Sequence, residues 1–259
     1  MKRVAASLVA LLLWLVVPLF AANGITITFK SAIFSTAAGA VTCTPTWTPT
    51  ANELVIAFAE TSYASAPVDP TGVTGHGLTY SQVTLGASNT PTAGTHKLSA
   101  WVAKTGGSPT SVACTDTVSG TTTGSSIVEF EVVGADVSGT ALQAIQVSNA
   151  TNTGTSTTPT VTLASPTLTG NRAMTFVTVL ANAAPTASGA WTLTAGAAGN
   201  FNTPATGVAA FFQNGKFDTA GAASTSSAEW RMVGIEIKSK KMVGPLLGML
   251  RNRTVRSVQ

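Results

Sequence analysis

The chain has 259 residues, of which 44% are hydrophobic and only 9% charged, and the rest is dominated by Thr, Ser, Gly and Asn rather than by Lys and Glu. A surface helix needs long charged side chains on its wet face, whereas a strand covers its wet face with β-branched or small polar ones, so this composition speaks against a helical fold. The formal charge of +4 sits at the two ends. Between Asn23 and Glu236 only six basic residues stand against all ten acidic ones, the reverse of what phosphate recognition demands, which argues against nucleic-acid binding by the core.

Lys2 and Arg3 precede an uncharged run over residues 4–20 that Pro18 interrupts and Ala21 and Ala22 follow. That order of basic start, apolar stretch and small residues predicts a signal peptide over 1–22, drawn as an apolar leader helix, with an uncleaved signal anchor as the alternative. Only in the second case would the chain touch a membrane through this segment. Export would place Cys43 and Cys114 where a disulfide persists, and no third cysteine competes, so a Cys43–Cys114 bond is expected over two buried thiols. Neither cysteine has a metal-ligand neighbour at close spacing, and His76 and His96 are the only histidines, so no metal site is expected.

Short apolar or alternating runs then recur with turn residues between them. In chain order the predicted strands are 25–29, 40–43, 53–60, 78–85, 96–104, 111–118 and 125–133, followed by 141–147, 158–163, 172–180, 190–194, 208–213 and 228–238. The run Leu54-Val55-Ile56-Ala57-Phe58 has no polar alternation, as expected for a central strand buried on both faces. The stretches 148–157 and 196–206 are rich in Ser, Thr, Gly and Asn and read as loops. No helix of three turns appears, and no composition shift marks a linker. The expected architecture is all-β: one antiparallel two-sheet β-sandwich over 23–240, followed by a basic and apolar tail over 241–259.

Several stretches carry a family likeness: Asn52-Glu53-Leu54-Val55-Ile56-Ala57, Gly77-Leu78-Thr79-Tyr80, Leu98-Ser99-Ala100-Trp101-Val102-Ala103, Ile127-Val128-Glu129-Phe130, and the closing run from Glu229 to Ile237. In these the chain resembles the jelly-roll or concanavalin-like modules of bacterial secreted proteins and of phage virion or tail-fibre proteins. The resemblance implies a non-catalytic architectural or adhesive role, with copies of itself or other structural subunits as partners and an extracytoplasmic or virion setting. It supplies no active-site motif.

Candidate chemistry is sparse. Glu129 and Glu131, two apart on a strand, point to one face as the paired carboxylates of sandwich-fold glycoside hydrolases do; the competing reading is a solvated face opposite Val128, Phe130 and Val132. A nucleophile triad would need a histidine beside a serine and an acid, and both His76 and His96 are expected at exposed turns. Asp69, Asp116 and Asp218 lie in or near predicted loops and could hold calcium, and no other cofactor is expected. Among Trp47, Trp101, Trp191 and Trp230, Trp101 lies opposite its apolar neighbours and is the best candidate for stacking on a sugar, which would make glycans the partners under a carbohydrate-binding alternative. The tail joins Val243, Leu246, Leu247, Met249 and Leu250 to Arg251, Arg253 and Arg256, suited to a neighbouring subunit, an anionic membrane surface or a disordered end. Overall, an exported structural or adhesive protein is the expected function, and a carbohydrate-binding module or glycoside hydrolase the alternative.

Overall fold

The computed structural model describes residues 24–240 apart from Ala64, Ala87, Asn89, Pro91, 164–169, 214–219 and 225–226. The leader over 1–22, the tail over 241–259 and Asp218 lie outside the described residues. The chain is all-β. Its strands are β1 (Thr26–Ser35), β2 (Leu54–Ser62), β3 (Pro70–Thr74), β4 (Ser81–Gln82), β5 (Thr92–Ala93), β6 (His96–Lys104), β7 (Thr115–Val118) and β8 (Gly124–Val133). A short 3-10 turn at Leu142–Ala144 leads into β9 (Ile145–Gly154), followed by β10 (Thr160–Thr162), β11 (Arg172–Val179), β12 (Thr186–Ala187), β13 (Ala198–Asn202), β14 (Ala205–Phe212), β15 (Ala220–Ser224) and β16 (Trp230–Ile237).

Two antiparallel sheets dominate. The first runs β1-β8-β2-β6-β4 with β5 also on β6, and the second β13-β14-β11-β16-β9. One apolar cluster joins them: alternate residues of the first sheet, such as Ile56, Phe58, Leu98 and Phe130, meet Met174, Phe176, Phe212 and Ile235 of the second. Phe58 stacks on Phe176 with ring centroids 5.2 Å apart, and Phe130 meets Phe212 edge to face at 6.3 Å. Side chains of this size stabilise by about 1.5–3 kcal/mol each when fully buried, so this interface is the main store of folding energy.

The outer faces are covered as well. On the second sheet, Val161 and Leu163, in and just after β10, pack with Val177, Phe211, Trp230 and Met232, and β10 belongs to a small sheet ordered β10-β15-β12. On the first, Val41, Cys43, Val73 and Cys114 pack on Ala57, Ala59, Trp101 and Ile127, with β3 and β7 forming a two-stranded ribbon. Every residue of β2 is therefore buried, which is why its sequence shows no alternation.

The secondary structure departs from expectation mostly at edges. The stretches 148–157 and 196–206, expected as loops, hold most of β9, all of β13 and the start of β14. Edge strands keep a polar side, so Thr and Asn there satisfy a strand as well as a turn. Conversely, 190–194 holds only an isolated bridge between Thr192 and Phe212, and 78–85 only β4 with a Leu85–Ser88 bridge. The predicted strand at 40–43 is likewise reduced to a single bridge between Thr42 and Thr115. The strand predicted over 141–147 begins instead as the 3-10 turn.

Candidate functional site

Glu129 and Glu131 do share a face of β8, but that face is not solvated: Glu129 is 0% and Glu131 5% exposed. The cover comes from remote chain. After β1 the chain doubles back, with an isolated bridge between Ala32 and Thr44 and the Cys43 amide donating to the Cys114 carbonyl at 2.8 Å. The expected disulfide between Cys43 and Cys114 closes beside this bond. Together they lay Trp47 and Thr50 over β8.

From the other side comes the turn Gly75-His76-Gly77, in which all three residues have positive φ, His76 at 55°. A Cβ at Gly75 would lie 2.9 Å from the Cys114 Cα, so only glycine lets the turn approach the disulfide strand this closely. His76, expected to be exposed, is thereby carried into the interior at 1% exposure.

These segments converge on one carboxylate. Glu129 Oε2 accepts from Trp47 Nε1 at 2.7 Å, Ser31 Oγ at 3.0 Å and His76 Nε2 at 3.1 Å, while Oε1 accepts from the Tyr80 hydroxyl at 2.7 Å. Three of the four donors crowd Oε2, and Tyr80 is the one that meets Oε1. Burial, with Glu129 beside it, pushes the Tyr80 hydroxyl well above its ordinary range, so it remains a donor. The Trp47 ring meets the His76 ring at 4.7 Å and carries Lys30 Nζ 4.9 Å from its centroid. Lys30 in turn pairs with Glu131 Oε2 at 2.8 Å, and the Thr50 amide donates to Oε1 at 2.6 Å. Burial alone would raise the Glu131 carboxyl, but Lys30 and Thr50 outweigh it and hold it below the usual range.

Catalysis by this pair does not follow from the geometry. Glu129 is held by four internal donors and has no solvent contact, and Ser31 and His76 both point at the acid rather than at each other. A triad requires the histidine between serine and acid, whereas here the acid stands in the middle. The network is a pin that fixes two covering segments to a sheet.

The remaining candidates are committed elsewhere. Asp116 Oδ1 accepts from the Val41 amide at 2.6 Å and Oδ2 from Ser125 Oγ at 2.5 Å; burial raises its carboxyl, partly offset by these bonds. Asp69 accepts from Lys97 Nζ at 2.6 Å and Thr90 Oγ1 at 2.9 Å, and Lys97 chiefly holds it below the usual range. The two aspartates thus fasten loops rather than converge on one ion, and among the described residues no group of three or more His, Cys, Asp or Glu could hold a metal. Trp101, expected as the surface ring, is 6% exposed and donates from Nε1 to Ser99 Oγ at 2.8 Å, because the outer cover lies on its strand too. His96, also expected exposed, is buried between the two large sheets.

Sequence reasoning found Glu129 and the cysteines but missed Ser31, Trp47, His76 and Tyr80 as one cluster. The available signal was a histidine between two glycines, a pattern that serves a backbone approaching something closely. Compared with known proteins, the chain matches no family model, no curated protein and no solved structure.

Proposed function

We propose that this chain is an exported, non-enzymatic structural or adhesive protein of jelly-roll-like β-sandwich form that acts by joining neighbouring copies or other structural subunits through its sheet edges. The observation that carries this reading is the end strand of the second sheet. β9 is ten residues long, pairs among the described residues of that sheet only with β16, and reads Ile-Gln-Val-Ser-Asn-Ala-Thr-Asn-Thr-Gly with no charge and no proline. Natural edge strands are usually guarded by lysine, proline or bulges, because unpaired backbone groups are a template for another strand. In β9 the register shifts fall opposite Gly234, Glu236 and Ile237, near its start, and the stretch from Ala150 to Gly154 keeps a regular ladder.

Two further facts support the reading. Glu129 and Glu131 on the outer face of the first sheet are engaged by internal donors, which suits a scaffold. The buried Cys43–Cys114 bond is compatible with an extracytoplasmic setting. The test is the assembly state of the purified protein by light scattering and negative-stain microscopy, set beside Asn152→Lys, which puts a charge at an exposed mid-edge position. Repeating assemblies in the parent that the variant loses are the expected result. A parent that stays monomeric at high concentration would overturn the reading.

A further inference from the structure

A second buried carboxyl lies on the opposite face of the same sheet. Along β2, Leu54, Ile56 and Phe58 point between the two large sheets, and so do the next residues in that alternation, Glu60 and Ser62. Their ladder partners are Ser126 opposite Glu60 on β8 and His96 opposite Ser62 on β6. From the second sheet Thr206 of β14 reaches across, its Oγ1 2.7 Å from His96 Nε2.

The hydrogen bonds fix the state of the ring. Thr206 Oγ1 donates to the Pro204 carbonyl at 2.8 Å, so toward His96 it is the acceptor and Nε2 carries the hydrogen. Nδ1 then accepts from Thr95 Oγ1 at 3.1 Å. That is a satisfied neutral imidazole, bridging the two sheets.

Glu60 is poorly served as an anion. Its Oε2 accepts from Ser126 Oγ at 3.1 Å, its Oε1 has no hydrogen-bond partner, and His96 Nε2 is 3.9 Å away. Asp116 is the other titratable group that acts on the pair, and its charge raises the Glu60 carboxyl further, in the same direction as burial. β8 contributes Ser126 and Gly124, β13 and β14 contribute Phe201 and Thr206, and β5 pairs with β6 through Thr92 and Ala93. Lys97 is engaged by Asp69, Arg231 by the Thr92 carbonyl, and Asp116 by Ser125.

We propose that Glu60 and His96 tune the joint between the two large sheets to the acidity of the surroundings: the joint is tight while both are neutral, and it loosens when either becomes charged. Burial pushes the Glu60 carboxyl well above its ordinary range and draws His96 down to about 4, which agrees with the hydrogen bonds. The two groups act in opposite directions. The unfolded chain takes up a proton at His96 near pH 6.5, so the His96 contribution is present above that value and lost as pH falls toward about 4. Glu60 binds its proton more tightly when folded, so its contribution is present below about pH 4.5 and lost as pH rises toward its raised folded value. Their sum favours the folded state in mildly acidic conditions.

The test is urea unfolding from pH 8 to pH 5 of the parent, Glu60→Gln and His96→Gln, with the His96 ring followed by NMR in the parent. Glu60→Gln should become less stable as pH falls and His96→Gln more stable, each by up to roughly tenfold in the unfolding constant per pH unit. Parallel slopes in the two variants would overturn the proposal. The NMR arm needs no variant to fold: a His96 ring that stays neutral, with hydrogen on Nε2, down to pH 5 supports it, and a ring that titrates near 6.5 in the folded protein overturns it.

Discussion

Two buried glutamates on adjacent strands of one sheet are treated in opposite ways. Glu129, on the outer face of β8, is met by four donors brought from three separate segments. Glu60, on the inner face of β2, has one donor and a bare oxygen, and burial raises its carboxyl. The difference lies in what faces each one. The outer face of the first sheet is covered by loops, whose hydroxyl, indole and imidazole groups can be aimed at a charge. The inner face is met by another sheet whose own backbone bonds are already used, so an acid there is better off neutral. A carboxylate can be afforded in this core where irregular chain lies over it.

The sharpest way to break this contrast is the same swap at both places. Glu129→Gln removes the buried charge that the donors address and turns an amide group toward at least one of them, with an expected loss of about 5 kcal/mol in urea unfolding at pH 7. If it costs no more than Glu60→Gln, the contrast is wrong. Next in size is the disulfide that holds one of the covers. Cys43 and Cys114 are 71 positions apart, and for a loop of that length the chain-entropy model gives about 4 kcal/mol for their joint replacement by serine. Because this loosens the same segment that carries Trp47, the loss should not add to that of Glu129→Gln in a double-mutant cycle, and the Trp47 emission should shift toward that of a solvated indole.

The smallest effect is expected at the rim. Lys97 and Asp69 form a half-exposed pair, and Lys97→Ala should cost no more than about 1 kcal/mol, less in high salt. The sign of its pH dependence is fixed by the lowered Asp69 carboxyl: the pair contributes above about pH 3.8, and the contribution disappears as pH falls below that value. A larger loss here than at Glu129 would mean that the surface, and not the pinned cover, holds the sheet.

How much of this was legible in the sequence depends on the range of the information. The central strand β2 was readable because a run such as Leu54 to Ala59 buries itself whichever way it turns. The pairing of Cys43 with Cys114 needed only composition and compartment. The same-face placement of Glu129 and Glu131 followed from the period of a strand, but their burial did not, since Trp47 and His76 arrive from 82 and 53 residues away. Trp101 and His96 were misplaced for a related reason: alternation says which residues share a face and is blind to whether a second layer lies on it. The edge strands β9 and β13 were hidden because Thr and Asn serve a half-wet strand and a turn equally well.

The layering of the sheets limits how this molecule meets its surroundings. Among the described residues both broad sheets are roofed on their outer faces, which leaves little flat sheet surface to serve as a palm for a ligand. Contact then belongs to rims, to end loops and to the outward-facing residues of the roofs, while the roof residues that pack on the sheets are held in place. Homologous chains would accordingly differ most in these outer segments, while the segments fastened to Glu129 keep the tryptophan, the histidine and the cysteine pair that fix them in place.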